Sequence, residues 1–277
     1  MQLSCRLFGI SRQSYYKRCK SSLVIEAQQQ LVVGLVGRQR RHMPRLGTRK
    51  LHKLLQEDFR RRGLKIGRDK LFAYLRQQHL LIRPVKSYTK TTHSKHWLHK
   101  HANLIKHFKP TAAEQLWVSD ITYMNTRQKT CYLSLITDAY SRKIVGYHVS
   151  EDLRAEHMLE ALKMAIKGKV TNQPTIHHSD RGLQYCADAY QQLLAAHHVR
   201  CSMTDGYDCY QNALAERMNG ILKMEFLFEK HLDYESLNKS VRESIITYNT
   251  HRPHLSLVYQ TPESVHKKSL AEYNQGS

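Results

Sequence analysis

The chain has 277 residues, 44 Lys+Arg against 23 Asp+Glu, and a formal net charge of +21, with 41% hydrophobic residues, 12 Gly and 6 Pro. That length holds one large domain or two modest ones with a real core, and the composition excludes a disordered, collagen-like or low-complexity chain. The longest apolar run, near Leu31–Gly37, is far short of a membrane span, the start at Met1 has no apolar signal region, and the six cysteines include no Cys-x-x-Cys spacing, so a cytoplasmic protein with buried thiols and no membrane partner is expected.

The charge is concentrated at the front. Residues 1–110 carry 26 Lys+Arg and 4 Asp+Glu, while residues 111–277 carry 18 and 19. Such an asymmetry points to a polyanion partner for the first part, nucleic acid above all; a solvated basic surface is the alternative, and an anionic membrane a minor one. Within it, Leu7–Tyr16 reads as a turn at Gly9 followed by a helix capped by Ser11, similar to the second half of a helix-turn-helix or to an ordinary capped helix. A helical stretch follows over about Val24–Gln39. Thr48 then caps a helix carrying Leu51, Leu54, Leu55 and Phe59 on one face, and Gly63 ends it. A second helix from about Arg68 buries Leu71, Phe72 and Leu75. Arg49, Lys50, Lys53, Arg60, Arg61, Arg62, Lys70 and Arg76 fill the other faces, as suits a small all-α DNA-binding module; the alternative is a helical domain with a solvated basic face.

From Pro84 to about Lys109 the period is lost and a basic linker is expected. It contains His93, His96, His99, His101 and His107, but no close cysteine pair accompanies them, so no zinc is expected. The resulting division is 1–35 (partial helix-turn-helix and connecting helix), 36–84 (basic helix-turn-helix), 85–112 (linker), 113–260 (core) and 261–277 (C-terminal tail).

After residue 113 the texture becomes that of an α/β sheet. Leu116–Tyr123, Cys131–Thr137 and Lys143–Val149 alternate as three strands, with Asp138–Arg142 turning between the last two. Ala155–Lys167 is a helix, Pro174–His178 a fourth strand, Tyr185–His197 a helix, Arg200–Met203 a short strand, and Asn212–Phe228 a long helix. Three hairpin-linked strands followed by helix–strand–helix–strand–helix describe a mixed sheet with flanking helices.

Three carboxylates stand out. Asp120 interrupts an apolar strand, where an unpaired charge is costly. Asp180 follows the fourth strand, where α/β sheets bind ligands. Glu216 lies inside the last helix. Together they would repel unless a cation lay between them, and oxygen-only ligation suits Mg²⁺ or Mn²⁺, as in two-ion phosphodiester chemistry.

Trp117-x-x-Asp120-Ile121-Thr122-Tyr123, Tyr132-Leu133 with Asp138-x-x-Ser141-Arg142-x-Ile144-Val145-Gly146, His178-Ser179-Asp180-Arg181-Gly182-x-Gln184-Tyr185 and Asn212-Ala213-x-Ala215-Glu216 follow one another in order. This set resembles the integrase-core (DDE) transposases of bacterial insertion sequences, of the OrfB type related to retroviral integrases. The 35 residues between Asp180 and Glu216 match that family's acidic spacing, as do Tyr248-Asn249-x-x-Arg252-Pro253-His254 and Thr261-Pro262 near the end. Gly47–Leu51 is similar to the helix-turn-helix these proteins carry ahead of the core. The resemblance implies a ribonuclease H-like fold, with Asp120, Asp180 and Glu216 as catalytic metal ligands for a pair of Mg²⁺ or Mn²⁺ ions. It also implies DNA strand cleavage and strand transfer, a homo-oligomer on DNA and nucleoid association. Lys223 matches the family's basic residue seven positions after the glutamate, placed to hold a DNA phosphate, and Arg252 joins the expected DNA-binding set. Two features depart from the pattern: Gln211 stands where the family has Asp, and Asp205–Tyr210 is atypical. The front of the chain resembles half a DNA-binding unit, which implies an upstream-frame partner or fusion. A catalytically silent DNA-binding regulator and a nuclease on the same fold are the alternatives.

Overall fold

The computed structural model describes residues 7–83, 100–205 and 212–276. The linker residues 84–99, with His93, His96 and His99, and the atypical stretch 206–211, with Gln211, lie outside the described residues. The chain divides into two compact units, Met1–Pro84 and Val85–Ser277.

The first unit is helical. Helix α1 (Arg12–His42) begins where Ser11 caps it by accepting a hydrogen bond from the Ser14 amide at 3.1 Å. It runs 31 residues without interruption, so the short helix start and the stretch from Val24 are one element. No proline separates them, and Gly34 and Gly37 are tolerated inside a helix at modest cost. Its second half buries Val32, Leu35 and Val36. Helix α2 (Thr48–Arg61) buries Leu51, Leu55 and Phe59, and α3 (Arg68–Gln77) buries Leu71, Tyr74 and Leu75. Tyr74 takes the buried place expected of Phe72, which is only partly covered. Gly63 adopts φ +63° just past α2, and the Leu64 amide donates to the Phe59 carbonyl at 2.8 Å, closing the helix end in the left-handed conformation glycine accepts. Arg40 of α1 donates to the Leu80 carbonyl at 2.7 Å and ties the three helices together.

The second unit is a three-layer α/β structure. Strands β1 (Leu116–Asn125), β2 (Thr130–Asp138) and β3 (Ile144–Ser150) pair antiparallel; β4 (Thr175–Ser179) and β5 (Val199–Met203) pair parallel, in the order β3-β2-β1-β4-β5. This is the ribonuclease H-like mixed sheet, with β1 at its centre. Helices α4 (Ala155–Lys167), α5 (Leu183–Cys186) and α6 (Asp188–Ala196) cover one face, where Trp117, Ile136, Leu162, Tyr185 and Leu194 pack together. Helix α4 approaches β3 so closely that a Cβ at Gly146 would lie 2.2 Å from the Ala161 carbonyl oxygen.

The opposite face is covered by α7 (Ala213–Ile221), a π-helical turn (Leu222–Phe226) and α8 (Tyr234–His251), which bury Met218, Leu222, Val241, Ile245 and Tyr248 against Leu133 and Leu135. The single long helix expected over 212–228 thus widens into a π turn after Ile221. Asp233 and Ser236 form a reciprocal capping box at the start of α8. The stretch expected as a tail forms a helix, α9 (Pro262–Gly276), started by proline at its first position. Its Ser269 and His266 are buried; Ser269 Oγ accepts from the Ala113 amide at 2.9 Å, and His266 Nδ1 lies 3.0 Å from Ser141 Oγ. Among the described residues no helix is long and apolar enough to cross a membrane.

Candidate active site

Strand β1 begins with buried Leu116, Trp117 and Val118 and becomes polar at Asp120. Side chains alternate across a strand, so Val118, Asp120 and Thr122 share the face covered by α7. Both carboxylate oxygens of Asp120 are engaged: Oδ1 accepts from the Ile121 amide at 2.9 Å, and Oδ2 from the Asn219 side-chain amide at 2.8 Å. Parallel strand β4 runs beside β1, with Val118 opposite His178. Asp180 follows the end of β4. The turn after it is held by the Gly182 amide, which donates to Asp180 Oδ1 at 3.0 Å; a Cβ at Gly182 would crowd that same oxygen at 3.0 Å.

Helix α7 is keyed to β1 by a row of side-chain bonds. Asn212 Nδ2 donates to the Ser119 carbonyl at 3.0 Å, Asn219 bonds Asp120, and Lys223 Nζ donates to Thr122 Oγ1 at 3.1 Å. Residues 212, 219 and 223 lie at helical spacing, and Asn212 and Asn219 are buried. Glu216 lies on the same helix but on its exposed edge, one turn before Asn219. On the other side of β1, Ser119 Oγ meets the buried Tyr185 hydroxyl at 2.9 Å.

Electrostatics link the three acids. Burial, and then the neighbouring Asp180, push the Asp120 carboxyl up to about 7, against the hydrogen bonds from Asn219 and Ile121; Glu216 adds a smaller upward push. Partial desolvation, then Asp180, also raises Glu216. Desolvation lowers the Lys223 ammonium while Asp120 opposes that shift. Asp120 and Glu216 are therefore costly to ionise beside Asp180, an arrangement that a cation relieves. Among the described residues no three His, Cys, Asp or Glu side chains stand at metal-holding spacing; the two aspartates are fixed by backbone and amide donors, while Glu216 stands exposed beside them.

The other expected site residues divide sharply. Arg49, Lys53, Arg60, Arg61, Arg62 and Lys70 are exposed on α2, α3 and the turn between them, and Lys50 is half-buried. Arg60 and Arg61 pair with Glu57, and Lys70 lies 5.5 Å from the Tyr74 ring centre. Arg252 is not on the surface. It is buried, its Nε and one terminal nitrogen grip Glu225 at 2.8 and 2.7 Å, and its guanidinium lies 5.6 Å from the Tyr248 ring centre. The structure commits it to an internal ion pair instead of the DNA contact expected for it. Sequence reasoning placed Asn212 in a motif without giving it a role and missed Asn219; the available signal for Asn219 was a polar residue at Glu216 plus three, on the apolar side of the helix.

Two family models, both described as integrase core domain, match residues 110–209 and 197–262. The chain is 33% identical over 271 residues to a 31 kDa protein of insertion element IS600 from Shigella sonnei, covering 95% of this chain and 97% of the relative. It is 28% identical over 279 residues to the transposase InsF for insertion sequence IS3A of Escherichia coli K12, covering 96% and 94%. Among solved structures, the HTLV-2 integrase catalytic core domain in complex with magnesium is similar at a TM-score of 0.47 and 19% identity, over 57% of this chain and 99% of that one. With its mixed sheet, its ordered acidic motifs and a near full-length relative at this identity, the chain belongs to the integrase-core (DDE) transposases of bacterial insertion sequences.

Proposed function

We propose that this protein is a DNA transposase that cuts a phosphodiester at the ends of its insertion sequence and joins the 3′-hydroxyl so made to another strand. The observation that carries this reading is the electrostatic coupling of Asp120, Asp180 and Glu216 at the carboxyl end of a parallel strand pair. The donor set is oxygen only, and two of its members, Asp120 and Glu216, have carboxyls raised by burial and then by the charge of Asp180, so it fits a hard divalent cation and not zinc. Asp120, Asp180 and Glu216 would hold Mg²⁺ or Mn²⁺, as two ions. When bound, such ions activate the attacking oxygen and stabilise the leaving oxygen of the phosphodiester.

The chain's own residues supply the rest. Asp120 and Asp180 are held by main-chain and amide donors, so their carboxylates are oriented before DNA arrives. Lys223, beside Asp120 and over Thr122, provides a positive charge where a scissile phosphate would lie. Arg49, Lys50, Lys53, Arg60, Arg61, Arg62 and Lys70 form the basic face that holds double-stranded DNA by its phosphates. Joining two element ends requires at least two copies, so a homo-oligomer on DNA is part of this reading. An upstream-frame partner or fusion that completes end recognition, and residence in the cytoplasm on the nucleoid, complete it.

The test is Mn²⁺-dependent nicking and strand joining on a duplex carrying the element's terminal repeat. Asp180→Asn should abolish both steps while leaving DNA retention intact. An Asp180→Asn protein that cuts as fast as wild type would end this reading.

A further inference from the structure

Asn219 is nearly fully buried, at 4% exposure, in a helix face that is otherwise apolar around it (Ala215, Met218, Leu222). Burying a primary amide is costly unless its donors and acceptor are used. Only part of that requirement is met among the described residues: Nδ2 donates to Asp120 Oδ2 at 2.8 Å, while Oδ1 is buried with no hydrogen-bond partner among them. The orientation of the amide follows from pairing an N–H, not an oxygen, with a carboxylate. A residue kept for packing alone would be an isosteric leucine, as at Leu222 one turn later. The retained amide therefore points to a task at Asp120.

The geometry assigns Asn219 as a positioning residue: its amide fixes the rotamer of Asp120 and couples that carboxylate to the helix that carries Glu216. Without Asn219, the hydrogen bond left to Asp120 among the described residues is the one from the adjacent Ile121 amide to Oδ1, which does not define where Oδ2 points. With it, the strand and the helix are locked at the point where their two acids must face one another, between the flanking bonds Asn212 to Ser119 and Lys223 to Thr122. Partners of this kind, which hold a ligating side chain without ligating themselves, typically contribute 10–100-fold to metal affinity or activity. The inference rests on the assignment of Asp120 made under the proposed function.

The test uses the full-length protein with Asn219→Leu, which keeps volume and removes the donor, and Asn219→Asp, which keeps shape and sets a second carboxylate against Asp120. Three quantities are measured: Mn²⁺ affinity without DNA, by electron paramagnetic resonance of the free ion; the kcat and apparent KM for Mn²⁺-dependent plasmid nicking; and thermal unfolding in EDTA. Asn219→Leu should bind Mn²⁺ about tenfold or more weakly and lose about 10–100-fold in kcat at a fixed Mn²⁺ concentration, with KM for DNA unchanged and part of the rate restored by excess Mn²⁺. Asn219→Asp should lose more rate than Asn219→Leu. Wild-type Mn²⁺ affinity and kcat in a folded Asn219→Leu protein overturn the inference. So does a rate loss in either variant that excess Mn²⁺ leaves untouched. If Asn219→Leu does not fold, Asn219→Asp decides by the same Mn²⁺ titration. Asp120→Asn separates the two claims: if it still nicks DNA, the proposed function itself has failed; if it is inactive while Asn219→Leu matches wild type, only the positioning role has.

Discussion

Asp120 and Asp180 each lie two residues beyond a ladder pair, Val118 and His178, so the strand pair brings the two acids near enough for the charge of Asp180 to raise the Asp120 carboxyl. The consequence is a pair of acids that resists losing its second proton. The Asp120 carboxyl, ordinarily near 3.8, stands at about 7 because of burial first and Asp180 second. A carboxyl whose pKa is raised on folding binds its proton more tightly in the folded chain. Its contribution to stability is therefore present at low pH and is lost as pH rises through the folded value. The metal-free protein should lose stability between about pH 4 and pH 7, by up to roughly 4 kcal/mol, the titration belonging to the pair and not to one residue. Thermal unfolding in EDTA across that range checks this, and Asp120→Asn should flatten the profile. Added Mn²⁺ should raise the melting temperature more at pH 8 than at pH 5; equal shifts at both would mean the ion is not competing with that proton.

Arg252 should behave as part of the core, not of the DNA surface. Its charge is buried and matched by Glu225. Arg252→Ala leaves the Glu225 carboxylate without its main partner and should cost about 3–5 kcal/mol. Calorimetry should show this as a lower melting temperature, with the salt slope of DNA binding unchanged. The double change Arg252→Met with Glu225→Met should recover most of the loss, since a matched apolar pair carries no stranded charge.

The basic face of α2 and α3 should act through phosphates. Lys53→Ala and Arg49→Ala should each weaken binding to unrelated duplexes alike and lower the slope of log affinity against log salt by about one. Arg60→Ala and Arg61→Ala should matter less, because both guanidinium groups are shared with Glu57. Filter binding at several salt concentrations checks both. A loss confined to one sequence would instead indicate base contacts.

What could be read in advance follows the reach of the interactions. Period-two strands and motif order were enough for the mixed sheet and for the placing of Asp120 and Asp180, because strand alternation and the carboxyl-end rule are local or topological. The continuity of α1 through residues 12–42 was open to reading, since no proline breaks it and its first half is largely exposed; the π turn after Ile221 was not, because it depends on what the helix packs against. Arg252 shows the limit best. As a lone arginine in a motif it reads as a phosphate ligand; only its neighbours Glu225, 27 residues earlier, and Tyr248 make it internal. Asn219 was missed for a related reason: an amide on a helix is ordinary until the strand beneath it is known to carry Asp120.

Gly146 offers a test of the scaffold that leaves these acids untouched. In β3 it faces α4, where a Cβ would meet the Ala161 main-chain oxygen at 2.2 Å and the Ala165 Cβ at 3.1 Å. Main chain cannot rotate away as a side chain can, so Gly146→Ala must displace the helix from the sheet. The cost should be about 1–3 kcal/mol or more, a fall of at least several degrees in melting temperature. Ala161→Gly should not rescue it, because the first clash is with an oxygen that glycine also carries. Ala165→Gly should relieve only the outer contact. Nonspecific DNA retention through the basic helices, which owes nothing to β3, should survive at temperatures where the double variant remains folded. If Gly146→Ala unfolds at the wild-type temperature, α4 does not approach β3 this closely.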